Sequence, residues 1–157
     1  MSTPPDFDLA SAHRYFSAHC FNRAWDLIDK PDRTPEEDEE MLRLSLAAHW
    51  HWTQRDDFTP ESASVGYWQT SRIYALLGQV ENARRYGLLS LAASQAGGVS
   101  SFYQGYAYEA LARAEALAGD QPKMDAYLSE ARRLAAAVTK AEDRQALLDD
   151  LATILAQ

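Results

Sequence analysis

The feature that most constrains this chain is an internal repeat. "YWQTSRIYALLGQVENARRYGLLSLA" from Tyr67 aligns without a gap on "YEALARAEALAGDQPKMDAYLSEARR" from Tyr108, at an offset of 41 residues. Tyr67/Tyr108, Arg72/Arg113, Gly78/Gly119 and Tyr86/Tyr127 coincide. The shared glycine falls mid-copy, where a left-handed residue ends a helix. Each copy therefore reads as two helices joined by a turn. One such hairpin cannot bury its own apolar face, so neighbours must cover it.

Proline and glycine delimit the remaining helices. No proline lies between Glu61 and Gln121, and neither proline nor glycine follows Pro122. In "TPEEDEE", Thr34 is an N-cap, Pro35 the first helical residue and Glu37 the capping-box partner. "TPES" repeats this start at Thr59 and Pro60, and "TKAE" offers Thr139 with Glu142. Helices are predicted near 8–29 (with a break around His19–Cys20), 35–54, 61–77, 80–96, 101–118, 121–138 and 140–156. The 35–54 helix has no evident mate. In the last helix Arg144, Leu147, Leu148, Leu151, Ile154 and Leu155 fall on one largely apolar stripe, as befits a C-terminal capping helix. No alternating β-branched run suggests a strand.

In the first copy, Tyr74 before the turn, Gly78 in it and Ala83 after it resemble the aromatic–glycine–alanine pattern of the tetratricopeptide-repeat superfamily, whose unit is a helical hairpin of about 34 residues. The second copy keeps Gly119, with Glu115 and Met124 at the other two positions. "YFSAHCFNRAWDLI" from Tyr15 resembles a decayed third copy, carrying Phe21 and Ala24. "WQTSRIYALLG" and "AYEALARAEALAGD" also resemble bacterial tetratricopeptide-like proteins of unknown function. The resemblance implies an all-α fold of stacked antiparallel hairpins, about seven helices in a superhelix. It also implies a concave groove, lined by the first helix of each hairpin, that binds protein or peptide.

Length and composition bound the rest. A chain of 157 residues suits one domain, read here as 1–157 with 1–7 a disordered tail. The start lacks a basic and apolar leader, and no apolar run reaches the ~18–20 residues of a membrane span. The single Cys20 rules out an internal disulfide and fits a cytoplasmic setting. The net charge of −8 argues against nucleic acid and anionic membrane surfaces, both of which need clustered Lys and Arg.

Two constellations invite a functional reading. Arg72 and Arg113 occupy equivalent places on the first helix of each hairpin, among Tyr67, Trp68, Tyr74, Tyr103 and Tyr106. Guanidinium groups recognise carboxylates and phosphates, and aromatic rings supply rigid contact area. Such a groove would hold a protein or peptide partner, acidic ones included. The competing structural role for Arg113 is an ion pair with Glu109, four residues earlier. The second constellation is "HWHW" at 49–52. On a helix His49 and His51 diverge, so they cannot share a metal, while Trp52 falls on the apolar face. A closed pocket walled by His49, Trp52, Trp68, Arg72 and Tyr106 is the alternative, serving a small anionic or aromatic ligand. No catalytic motif, metal site or cofactor loop is found, and no cofactor is expected. Homodimerisation is compatible with the exposed ends of a helical stack.

Overall fold

The computed structural model describes residues 5–155. Among them are seven α-helices and no strand: α1 Leu9–Ile28, α2 Pro35–Thr53, α3 Pro60–Leu76, α4 Val80–Gln95, α5 Ser101–Ala118, α6 Gln121–Ala137 and α7 Ala141–Leu155. The predicted segments all appear. α1 runs unbroken through His19 and Cys20, and α7 starts one residue later than expected. Its first-turn bond joins the Arg144 N–H to the carbonyl of Lys140 at 3.0 Å, which makes Lys140, and not the expected Thr139, the residue that precedes the first turn. Of the predicted tail, residues 1–4 lie outside the described residues, as does Ala156 at the far end. No described helix is long and apolar enough to cross a membrane.

The chain divides into two compact units, one ending at Thr59 and the other beginning at Pro60. In the first unit α1 and α2 pack as a hairpin, which supplies the mate that the 35–54 helix lacked in the sequence. Thr34 and Glu37 form the predicted capping box, with bonds of 3.2 and 3.0 Å. Arg33 closes the other side of the same turn. Its Nη1 donates to the carbonyls of Leu27, Ile28 and Lys30 at 3.2, 3.3 and 2.9 Å, while its Nε meets Asp38 at 2.8 Å. The last carbonyls of a helix have no intrahelical donor, and here one guanidinium serves them.

In the second unit the repeat becomes geometry. Gly78 and Gly119 take φ of 72° and 74°. After Gly78, the Gln79 N–H donates to Tyr74 O at 2.9 Å; after Gly119, the Asp120 N–H donates to Glu115 O at 3.0 Å. Both are Schellman turns. Tyr67 meets Tyr86 across α3/α4, and Tyr108 meets Tyr127 across α5/α6, each with ring centres 6.1 Å apart. The interface between α3 and α4 is drawn close by small residues. Ser64 and Ser90 bond each other's backbone at 3.1 and 3.0 Å, and Ser71 donates to Ala83 O at 2.8 Å.

Helix α5 is the centre of this unit, packing on α3, α4, α6 and α7. Ala107, Ala110, Leu111, Ala112 and Ala114 are all buried. Because it is surrounded, its polar residues are buried as well, among them Glu109, Arg113 and Glu115. α7 closes the end by burying Leu147, Leu151 and Ile154 against α5 and α6.

Candidate functional site

The first helices of the two repeated hairpins, α3 and α5, lie side by side. Between them is an open cleft of about 210 Å³, lined by Ser64, Val65 and Trp68 from α3 and by Phe102, Tyr103 and Tyr106 from α5. The positions recur at helical spacing, so each helix turns one face to the cleft. The aromatic wall is self-supporting. Trp68 meets Tyr106 edge-on at 4.9 Å between ring centres, and Phe102 meets Tyr106 at 5.0 Å and Tyr103 at 5.2 Å.

Beneath the rings runs a buried polar network centred on Glu109, which is 0% exposed. The Trp68 indole N–H donates to Glu109 Oε2 at 2.8 Å. Arg72 Nη1 donates to Oε1 at 3.1 Å, and Arg113 reaches the same oxygen through Nε and Nη2 at 2.8 and 2.6 Å. Arg113 continues to Thr153 Oγ1 at 2.8 Å and Asp150 O at 3.2 Å on α7. Tyr106 donates its phenol to the Asp150 carboxylate at 2.7 Å. Burial, joined by that carboxylate, holds the Tyr106 phenol far above its ordinary pKa, and it stays protonated. Burial likewise raises Tyr103, with Glu61 adding to the effect.

Arg72 and Arg113 do line one open pocket of about 210 Å³ together, with Ala75, Leu76 and Leu117, but their guanidinium groups are engaged inward. The predicted Glu109–Arg113 ion pair forms, and Arg113 is only 4% exposed. Arg72 and Arg113 do not stand as two separate anion receptors: both clasp the same internal carboxylate. A charge buried on a crowded helix must be paired, and Glu109 is the partner within reach. Tyr67 and Tyr74 leave the groove set. Both meet Tyr86 on α4, Tyr74 in a stacked contact at 5.4 Å, so they serve the α3/α4 interface. Trp68, Tyr103 and Tyr106 are brought together as expected.

His49 and Trp52 belong to the first unit, whereas Trp68, Arg72 and Tyr106 belong to the second. Trp52 meets Phe21 edge-on at 5.7 Å, and the His49 ring lies 6.1 Å from that of Phe58. Burial lowers the His49 pKa. The alternation of "HWHW" resolves as helix geometry: Trp50 is 56% exposed while Trp52 is half-buried. Among the described residues no group of three or more His, Cys, Asp or Glu side chains is placed to hold a metal ion.

Ser64, Val65, Asp150 and Thr153 complete the cleft and its support without having been expected. For Glu109 a signal existed, since the repeat aligns it with Trp68. A carboxylate at an aromatic position on an enclosed helix must find a cation or a donor. Compared with protein-family models, curated proteins and solved structures, the chain matches none of them.

Proposed function

We propose that the second unit is a tetratricopeptide-like, non-enzymatic module that binds a protein or peptide by seating one large apolar side chain in the α3/α5 cleft. What carries this reading is the size and lining of that cleft. About 210 Å³ falls short of the ~300–1,000 Å³ usual for small-molecule sites, yet it suits a single Leu, Phe or Met side chain. Burying such a side chain contributes ~1.5–3 kcal/mol, a reasonable anchor for an extended contact. The nearby polar groups are engaged with one another, so recognition rests on apolar burial more than on an acidic partner. The matched Schellman turns and tyrosine pairs support the repeat assignment.

The test is peptide-library selection against wild type and Val65→Phe, which fills the cleft from α3. Enriched peptides should share one aromatic or long aliphatic residue and bind Val65→Phe at least ~10-fold more weakly, the loss of ~1.4 kcal/mol. Peptides that share no apolar anchor, or that bind both proteins alike, would refute it.

A further inference from the structure

The first unit carries a second feature, independent of the cleft. His13 on α1 and His51 on α2 face each other with Nδ1 to Nδ1 at 2.8 Å and ring centres at 5.0 Å. The nitrogens therefore point nearly head-on, with one proton between them. Around the pair, Trp50 meets His13 at 5.4 Å and His51 at 4.9 Å, while Phe16 meets His51 at 5.3 Å. The two helices are thus joined at this end by an imidazole–imidazole bond beside a surface aromatic cluster, its Trp50 and Phe16 rings partly exposed.

We propose that His13 and His51 form an acid-opened latch on the α1/α2 hairpin, closed by one shared proton and released by a second protonation that frees the Trp50 and Phe16 rings. In the neutral pair one Nδ1–H donates to the other ring's Nδ1 lone pair. The first added proton settles on the donor ring's outer nitrogen, Nε2, and leaves that bond in place, now charge-assisted. The second must take the acceptor's own Nδ1, which sets two N–H groups and two positive charges against each other.

The other charged groups at this end are engaged: Asp8, the N-cap of α1, accepts from the Ala10 and Ser11 N–H groups and the Ser11 hydroxyl. Arg14, beside His13, pairs with Asp56 and Asp57 at 3.4 and 3.6 Å, and Arg55 pairs with Asp57 at 2.7 Å. His19 on α1 stacks on Tyr15 instead, and His49 on α2 meets Phe58. No spare carboxylate among these absorbs the second charge. In keeping with this, burial and then the charge on His13 hold His51 below the ordinary histidine value.

Imidazole NMR titration of the full chain from pH 8 to 4.5, with tryptophan emission followed in parallel, tests the latch. The pair should titrate in two macroscopic steps separated by more than about one unit, and emission should change with the lower step. In His13→Gln, His51 should titrate in a single step, above the lower step of the wild-type pair and still below the ordinary ~6.5 because its burial remains, and that emission change should vanish; in His49→Gln both should persist. Single-step, independent titration of the two rings in wild type would overturn the proposal, even if the His13 variant fails to fold. So would an unchanged emission transition in a folded His13→Gln, or its loss in His49→Gln.

Discussion

Trp68 and Glu109 hold the same place in successive hairpins, 41 residues apart, and they are bonded to each other through the indole N–H at 2.8 Å. A simple repetition of the hairpin would set two like side chains in adjacent turns. Here the copies have diverged into a donor and an acceptor. The acceptor is the carboxylate that keeps Arg72 and Arg113 neutralised beneath the cleft.

Glu109→Ala should therefore be among the most disruptive single changes in the second unit. It leaves the buried Arg113 guanidinium without its carboxylate, a loss of ~3–5 kcal/mol. Urea unfolding followed by circular dichroism measures it. A loss under ~1 kcal/mol would mean that the network contributes little.

Tyr106→Phe separates stability from binding. The ring, and with it the cleft wall, is retained, while the bond to Asp150 at 2.7 Å is lost. We expect ~1–2 kcal/mol of destabilisation, with selected peptides still binding within about twofold, an energy change of ~0.4 kcal/mol.

Gly105 lies against α7, and a Cβ there would sit 2.5 Å from Leu147 Cδ2 in a fully buried contact. Alanine gains ~1 kcal/mol of helix propensity but overpacks by ~1–3 kcal/mol. Gly105→Ala should thus be net destabilising, on the order of 1 kcal/mol, despite being a glycine-to-alanine change within a helix. A raised melting temperature would show that α7 can give way.

Gly78 and Gly119 have open space around them and the same positive φ. Their alanine variants should each lose ~1–2 kcal/mol through left-handed backbone strain alone. Equivalent losses in the two variants, compared by denaturation midpoint, are what a true structural repeat requires; a large inequality would argue that the two turns are alike in outline only.

Acid sensitivity should come in part from His49. Its pKa is depressed in the folded state, so the unfolded chain binds more protons between the folded value and ~6.5. Its contribution to stability is whole above ~6.5 and is lost as the pH falls through the folded value. Unfolding free energies of wild type and His49→Gln across pH 7.5 to 5 should converge toward the acid end, the variant having the flatter profile.

Helix boundaries, both turn glycines and the Thr34–Glu37 box were legible in the sequence, because each is set by interactions within a few residues: capping bonds, the missing Cβ of glycine, the fixed φ of proline. The repeat was legible for the same reason, as local patterns written twice. Of what the side chains do, only the Glu109–Arg113 pair and the gathering of Trp68, Tyr103 and Tyr106 were legible. Nothing local shows that Arg72 and Arg113 converge on one carboxylate, that Tyr67 and Tyr74 turn to Tyr86, or that His51 meets His13 rather than its neighbour His49. Those outcomes depend on which helix lies alongside which, and on how deeply α5 is enclosed. Period and propensity place a side chain on a face, but only packing decides what that face meets.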